Sequence, residues 1–352
     1  MKMECQRCTR QPVSVFRPSK VLLAVPTAHH APFVEQAISE RKLSYEKHEG
    51  HYEVQVPDFE PFVSWMAALP FNSLEQRDLK LLPLQEKEGL TFDKLDRYRS
   101  LEEWVTFYQG RDLLEVLEKG RIKVFFQPIV SVSNRQVYGY EALIRGVNTE
   151  GRQVSPATLF RYARNMDLLF FLDRVCRETI IREAAYHGIK DKLFVNFIPT
   201  AIYDPEKCLQ TTDQAIRRYG LRPEQVVFEV VETERVDDYD HLNVILNYYR
   251  ERGYATALDD MGSGYASLSA MLALSPDYIK IDMDLIRNIH QDPEKQRVVA
   301  EYRHEAQLRE ITVLAEGIET ADEMNYLVEN GINLLQGYYF AKPAPIPPLV
   351  KR

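Results

Sequence analysis

The chain has 352 residues, of which 45% are hydrophobic and 27% charged, a composition typical of a folded protein with more than one domain. Its net charge of -8 excludes the basic surface expected of a protein that binds duplex nucleic acid or an anionic membrane. No apolar run approaches the roughly 20 residues that span a bilayer, and the charged amino terminus lacks the apolar core of a signal peptide. We therefore predict no membrane span and a cytoplasmic location.

The four cysteines do not form a disulfide framework, because only Cys5 and Cys8 are spaced as a pair. That pair is compatible with half of a zinc site in which His29 or His30 would be a further ligand. The alternative is two reduced thiols on a frayed terminus, and the sequence leaves both interpretations open.

The first part of the chain alternates short apolar runs of strand and helix type. The predicted elements are a strand at Lys20–Val25, a helix at Pro32–Leu43, a hairpin at Tyr45–Val56, a helix at Phe59–Leu69 and a strand at Lys80–Leu84. This βαββαβ order predicts a small α+β domain of the ferredoxin-like type in residues 1–99.

A connecting helix is predicted in residues 100–120, because Ser100 and Glu103 form a capping box ahead of an apolar stripe. Residues 121–352 then follow the pattern of a TIM-like (β/α)8 barrel. The predicted barrel strands are Lys123–Val130, Tyr138–Ile144, Leu193–Ile198, Val226–Val231, Tyr254–Leu258, Tyr278–Ile281, Thr312–Ala315 and Leu334–Phe340. Only Ser131–Val137 separates the first two, which is too short for a parallel crossover, so we predict that they pair antiparallel.

Polar side chains recur where these strands end. Asp259 and Asp260 follow an apolar run and precede a glycine-rich loop, and adjacent carboxylates there can bridge two divalent cations for displacement at phosphorus. The other strand-end residues are Glu141, Asn196, Glu229, Lys280, Asp282, Glu316 and Gln336. Carboxylate and amide oxygens favour Mg²⁺ or Mn²⁺ over zinc, which usually recruits His or Cys.

Alternation along Val226–Glu232 separates its two glutamates. Glu229 faces the predicted site, whereas Glu232 faces away from it, so we expect Glu232 to support a neighbouring loop rather than bind a cation.

These residues lie in nine ordered motifs that resemble the EAL-domain cyclic-di-GMP phosphodiesterases over residues 111–345. The motifs are Gln127-Pro128-Ile129-Val130, Tyr140-Glu141-Ala142-Leu143-Ile144-Arg145, Leu172-Asp173, Val195-Asn196, Phe228-Glu229-Val230-Val231-Glu232, Asp259-Asp260-Met261-Gly262-Ser263-Gly264-Tyr265, Lys280-Ile281-Asp282, Glu316-Gly317-Ile318-Glu319 and Gln336-Gly337-Tyr338-Tyr339-Phe340.

The resemblance implies two cations, Mg²⁺ or Mn²⁺, and hydrolysis of cyclic-di-GMP to linear pGpG. It implies that one cation is bound by Glu141, Asn196, Glu229 and Asp259, and that Asp259 bridges to a second held by Asp260 and Glu316. Lys280 would assist the attacking water, Arg145 would hold a phosphate, and Glu232 would brace the loop from Asp260 to Leu268. The residues implied to line the site are Gln127, Asp282, Glu319 and Gln336, with Asp173 at a guanine edge.

The chain departs from the family pattern at a few positions. Val231 replaces a usual threonine, Gly146 stands where tryptophan is common, and Met261 and Ser263 replace phenylalanine and threonine in the loop. None of these changes removes an implied metal ligand, so we predict an active enzyme.

Two other functions are compatible with the sequence. The barrel could bind cyclic-di-GMP without cleaving it, as degenerate relatives do, or the chain could act mainly as a protein-interaction scaffold. The complete ligand set favours hydrolysis. The resemblance also predicts a homodimer, with residues 1–99 receiving a signal or a protein partner.

Overall fold

The structure, a computed structural model, describes residues 20–25, 27, 29–85, 88–230, 239–262 and 268–349. The chain divides into two compact units. One contains the described residues up to Lys119 together with Ala157–Leu168, and the other contains Gly120–Pro156 and the described residues from Leu169 onward. The domain limits predicted from sequence, 1–99, 100–120 and 121–352, stay a prediction.

The amino-terminal unit is built on a five-stranded antiparallel sheet in the order β2-β3-β1-β4-β5. Its strands are β1 (Lys20–Ala24), β2 (Tyr45–His48), β3 (His51–Gln55), β4 (Lys80–Leu84) and β5 (Arg99–Ser100). Its helices up to residue 119 are Ala31–Glu40, Phe59–Ala67, Ser73–Asp78, Leu101–Gln109 and Arg111–Glu118, with a 3₁₀ turn at Phe92–Arg97. The first four strands have the predicted ferredoxin-like order, and the predicted small α+β fold is confirmed.

Alternation along the central strands gives this unit its core. Val21 and Leu23 on β1 face the same side as Val54 and Leu81, and all four are fully buried. The predicted capping box at Ser100 is present, since Glu103 accepts a hydrogen bond from the Ser100 N–H at 2.6 Å and donates its own N–H to Ser100 Oγ at 3.1 Å.

The second unit is a closed eight-stranded barrel with helices around it. Its strands are β6 (Ile122–Ser131), β7 (Gln136–Val147), β9 (Lys192–Phe197), β10 (Val226–Val230), β11 (Ala255–Met261), β12 (Tyr278–Ile281), β13 (Thr312–Ala315) and β14 (Leu334–Gln336), and β8 (Gln153–Val154) extends β7. The predicted antiparallel pairing of β6 with β7 is confirmed, β6 also pairs antiparallel with β14, and the remaining barrel pairs are parallel.

Helices fill the intervals between the barrel strands, as the sequence predicts. The described helices from residue 156 onward are Pro156–Asn165, Leu169–Tyr186, Pro205–Cys208, Gln210–Tyr219, Tyr239–Glu251, Leu268–Leu274, Met283–Ile286, Pro293–Gln307 and Ala321–Glu329. Within the described ranges, no helix combines the length and the apolar character needed to cross a membrane.

One predicted strand is too long. β14 ends at Gln336 instead of continuing to Phe340, because the chain turns at Gly337. A Cβ atom at Gly337 would lie 2.0 Å from the Ile318 carbonyl oxygen, so only glycine allows this close approach. The turn brings Ile318 into hydrogen bonds with both Gln336 and Tyr339.

The barrel interior contains an apolar layer with one residue from each of seven strands. These residues are Ile129, Phe194, Val227, Ala257, Tyr278, Leu314 and Leu334. Because side chains on a strand alternate in direction, the residue two positions beyond each of these faces the same interior. This layer therefore forms the floor beneath the strand ends.

Candidate active site

The predicted strand-end residues form a polar layer directly above that apolar floor. Each of six parallel strands places its polar residue two positions after its floor residue, as in Phe194 and Asn196 or Val227 and Glu229. The same step gives Asp259, Lys280, Glu316 and Gln336. Glu141, on the antiparallel hairpin, joins them through its contact with Lys280. The structure thus brings these residues together at the carboxyl ends of the parallel strands.

Asp259 and Asp260 are adjacent, and in a regular strand their side chains would point to opposite faces. The structure resolves this conflict with a register shift between Leu258 and Met261 in the pairing of β11 with β12. Asp260 has a φ of 55°, in the left-handed region that aspartate adopts more readily than most residues. The irregularity lets both carboxylates reach the same cluster.

Lys280 is the centre of the polar layer. Its Nζ lies 2.6 Å from Glu316 Oε1, 2.9 Å from Asp259 Oδ1, 3.0 Å from Glu229 Oε1 and 3.5 Å from Glu141 Oε1. The side chain is fully buried, and burial by itself disfavours the charged amine. The four carboxylates outweigh that effect and raise the pKa of Lys280 well above its usual value.

The carboxylates around Lys280 outnumber it and repel one another. Burial, reinforced by the neighbouring acidic groups, raises the pKa values of Glu229 and Glu316 well above the usual range despite the nearby lysine. Burial and then the charge of Asp259 raise the pKa of Asp260 to about 6. Lys280 therefore supplies too little positive charge to balance these carboxylates in the absence of a cation.

Two overlapping carboxylate triads have ligand atoms close enough to share a metal ion. Oxygen atoms of Glu141, Glu229 and Asp259 lie within 4.8 Å of one another, as do those of Asp259, Asp260 and Glu316. Asp259 belongs to both triads, which is the arrangement expected of a residue that bridges two cations.

Several buried oxygen atoms of this layer lack hydrogen-bond partners. Among the described residues, neither Glu229 oxygen accepts a hydrogen bond, although Lys280 lies at ion-pair distance from Oε1. Asn196 Oδ1 is likewise buried and without a donor. Buried acceptors are costly when unsatisfied, and hard oxygen donors suit Mg²⁺ or Mn²⁺, so the residues present fit divalent cations.

The other predicted site residues have different surroundings. Gln336 Nε2 donates to Glu141 Oε2 at 2.6 Å, and buried Gln127 pairs with Glu141 across the β6–β7 ladder. Asp282 Oδ1 accepts from the Asp284 N–H at 2.8 Å, so this carboxylate caps a short helix. The prediction that Gln127, Asp282 and Gln336 line the substrate site stays a prediction.

Glu319 and Arg145 are more exposed than the residues around Lys280. Glu319 forms an ion pair with Arg287 at 2.9 Å and is half exposed. Arg145 is half-buried, donates from Nη1 to its neighbouring Ile144 carbonyl oxygen at 2.7 Å, and lies over the Phe125 ring. A guanidinium there retains further N–H donors for an anion.

Asp173 is buried inside the barrel unit. Its Oδ2 accepts from Arg177, and its Oδ1 accepts from the Ile198 N–H at 3.1 Å. The residue is 2% exposed, and the guanine contact implied for it stays a prediction. Glu232, Val231, Ser263, Cys5 and Cys8 lie outside the described residues.

Glu323 is a buried carboxylate that the sequence analysis missed. Its Oε2 accepts from the N–H groups of Glu319 and Thr320, and its Oε1 accepts from the Asn288 N–H. It thereby joins the segment after β12 to the segment after β13. The Thr320-Ala321-Asp322-Glu323 capping box was the available signal, but a capping box by itself does not reveal a third backbone donor.

The barrel and its polar layer define a known class of protein. The EAL domain model matches residues 110–343, two thirds of the chain, and the chain belongs to the EAL domain family. The resemblance inferred from the motifs is therefore confirmed.

Two relatives show the extent of this similarity. The chain is 33% identical over 248 residues to a protein named probable cyclic di-GMP phosphodiesterase PdeG of Escherichia coli K12, and the match covers 68% of this chain and 48% of PdeG. It is 39% identical to a standalone versatile EAL protein of Vibrio cholerae O395, crystallised in a c-di-GMP-bound form, with a TM-score of 0.60 over 65% of this chain and 95% of that one. The chain thus spans about half the length of PdeG.

Proposed function

We propose that the barrel hydrolyses one phosphodiester bond of cyclic-di-GMP and produces linear pGpG. The observation that carries the proposal is the position of Asp259 in two carboxylate triads around a buried lysine. The names of the V. cholerae complex and of PdeG support the choice of substrate.

In the proposed reaction, a water oxygen forms a bond to phosphorus and the bond from phosphorus to the 3′ oxygen breaks. The 3′ oxygen then takes a proton, which leaves the phosphate on the 5′ side, as the product pGpG requires. Two bound Mg²⁺ or Mn²⁺ ions would lower the pKa of the attacking water and neutralise charge on the phosphate.

The protein side chains would bind the two cations and orient the attacking water. Glu141, Asn196 and Glu229 supply oxygens on one side of Asp259, and Asp260 and Glu316 supply them on the other. The surrounding carboxylates raise the pKa of Lys280 in the metal-free protein. We assign Lys280 to orient the attacking water and to stabilise negative charge.

The remaining predicted residues would bind substrate or support the site. Arg145 offers guanidinium N–H groups to a phosphate, and Gln127, Asp282, Glu319 and Gln336 would line the site. Glu232 would brace the loop from Asp260 to Leu268. A homodimer, a cytoplasmic location and a signal-receiving role for residues 1–99 are also proposals.

The test is to incubate the purified chain with cyclic-di-GMP and Mg²⁺ or Mn²⁺ and to follow pGpG by chromatography. Binding of cyclic-di-GMP should be measured on the same preparation by calorimetry. Binding together with pGpG formation supports the proposal. Binding without any pGpG under either metal would identify a receptor instead.

A further inference from the structure

The helix Leu169–Tyr186 contains a buried ion pair next to the strand end that supplies Asn196. Arg177 donates from Nε and Nη2 to Asp173 Oδ2, at 3.0 and 2.7 Å. Their side chains are 1% and 3% exposed, so this is an interior pair and not a surface one. Arg177 also donates from Nη1 to Thr212 on the helix Gln210–Tyr219.

The other oxygen of Asp173 reaches the backbone of the barrel. Asp173 Oδ1 accepts from the Ile198 N–H at 3.1 Å, one residue beyond the end of β9 and two residues beyond Asn196. Asn196 lies beside Glu229 in the register of β9 and β10. The pair therefore fixes the backbone that positions the amide oxygen of Asn196 beside Glu229.

We propose that Asp173 is a positioning residue, which acts through Arg177 and Ile198 to hold Asn196 in place for cation binding. This inference rests on the proposed metal-dependent function. Both oxygens of Asp173 accept hydrogen bonds from the protein. The guanine contact that the family resemblance implies for Asp173 is a separate role, and measurements of Mn²⁺ affinity and KM distinguish the two. Support of a ligand by a hydrogen-bonded neighbour is a general feature of metal sites.

The same helix provides a matched control. Arg174 and Glu178 have the same four-residue spacing, with Arg174 Nη1 3.2 Å from Glu178 Oε1. Their side chains are 17% and 31% exposed, compared with 1% and 3% for the buried pair. Changing this outer pair alters charge on the same helix without touching Ile198.

The experiment compares Asp173→Asn, Arg177→Met and the double variant, with Glu178→Gln and Arg174→Met as controls. Mn²⁺ affinity is measured by electron paramagnetic resonance without substrate, and kcat and KM are measured for cyclic-di-GMP. Each single variant leaves a buried group without its partner, so we expect Mn²⁺ affinity and kcat to fall about 10-fold or more.

The double variant decides the question, because it removes both charges and keeps an oxygen at position 173 for the Ile198 N–H. We expect it to recover Mn²⁺ affinity and kcat to within about threefold of wild type, with the controls unchanged. The double variant also remains informative if a single variant fails to fold.

Two results would overturn the inference. One is a higher KM in Asp173→Asn with unchanged Mn²⁺ affinity and no recovery in the double variant, which would indicate direct contact with substrate. The other is a double variant whose Mn²⁺ affinity shows the sum of both single losses. If wild-type protein forms no pGpG, the proposed function fails, while the Mn²⁺ measurements still test the positioning role.

Discussion

Glu229 and Glu323 are two fully buried glutamates of one barrel, and their pKa values move in opposite directions. Glu229 faces other carboxylates and has no hydrogen-bond donor among the described residues, so burial raises its pKa well above the usual range. Burial also opposes ionisation of Glu323, but the N–H groups of Glu319, Asn288 and Thr320, helped by Arg287, outweigh it and lower its pKa. Burial alone does not decide the charge of a carboxylate; the supply of donors does.

The comparison distinguishes a candidate cation-binding carboxylate, Glu229, from a carboxylate with a structural role, Glu323, which connects two backbone segments. The acidic groups around Lys280 remain short of donors, and a divalent cation would supply the missing positive charge. Glu323 already has its donors and would gain nothing from a cation.

Removal of divalent cations should have the largest effect on the Lys280 side. We expect a chelator to abolish pGpG formation and added Mg²⁺ or Mn²⁺ to restore it, because the ligands are hard oxygens. Circular dichroism should show that the chelated protein remains folded, since Glu323 and its contacts need no cation. Full turnover in excess chelator would contradict the two-cation site.

Asp259→Asn should lower pGpG formation nearly as much as removal of the cations, because Asp259 contributes to both triads. We expect kcat to fall on the order of 1,000-fold, as when an electrostatic group is removed from a reacting centre. The thermal unfolding temperature should change little, because Lys280 keeps three other carboxylates. Near wild-type turnover with an unchanged metal content would show that Asp259 does not bridge.

Glu323→Ala and Glu229→Gln should affect opposite properties. Glu323→Ala leaves three backbone N–H groups without their acceptor, so we expect about 2 kcal/mol less stability in urea unfolding. Glu229→Gln replaces a carboxyl group whose ionisation is disfavoured without a cation, so the metal-free protein should be no less stable than wild type while Mn²⁺ affinity falls.

The control for Glu323→Ala is Glu103→Ala, which removes a partly exposed capping-box glutamate from the amino-terminal unit. It should cost about 1 kcal/mol or less. Equal losses at positions 103 and 323 would show that the bond to Asn288 adds nothing beyond helix capping.

The same contrast shows what sequence can predict. Alternation places Asn196, Glu229 and Lys280 on the interior face without any coordinates, and the short Ser131–Val137 link predicts the antiparallel first pair. These conclusions depend on local rules that few tertiary contacts can override.

Other features depend on neighbours that are distant in sequence. The left-handed φ of Asp260 compensates for a register shift against β12, and Gly337 turns because Ile318 is close. The Asp173 carboxylate is occupied because Ile198 lies 25 residues away along the chain but within hydrogen-bond distance in space. No pattern within one segment reveals such a partner.

The smallest predicted effect is a dependence of cation affinity on pH, and it again distinguishes the two sides. Burial and the neighbouring Asp259 raise the pKa of Asp260 to about 6 in the metal-free protein. A proton must therefore leave Asp260 before a cation binds, so we expect the contribution of Asp260 to Mn²⁺ affinity to fall about tenfold per pH unit below pH 6. The stability of the metal-free protein depends on pH in the opposite direction to the cation affinity. A raised pKa means that the folded state binds more protons than the unfolded state between about pH 4 and 6, so this group makes the protein less stable as the pH rises through that window. Glu323 contributes oppositely, because its lowered pKa stabilises the fold above its unfolded-state pKa and this contribution is lost as the pH falls.

Calorimetric Mn²⁺ titrations of wild type and Asp260→Asn between pH 5 and 8 check the affinity prediction. The variant should bind Mn²⁺ more weakly than wild type but lose the part of the pH dependence centred near pH 6. A wild-type affinity that stays constant from pH 5 to 7 would show that Asp260 is not a cation ligand.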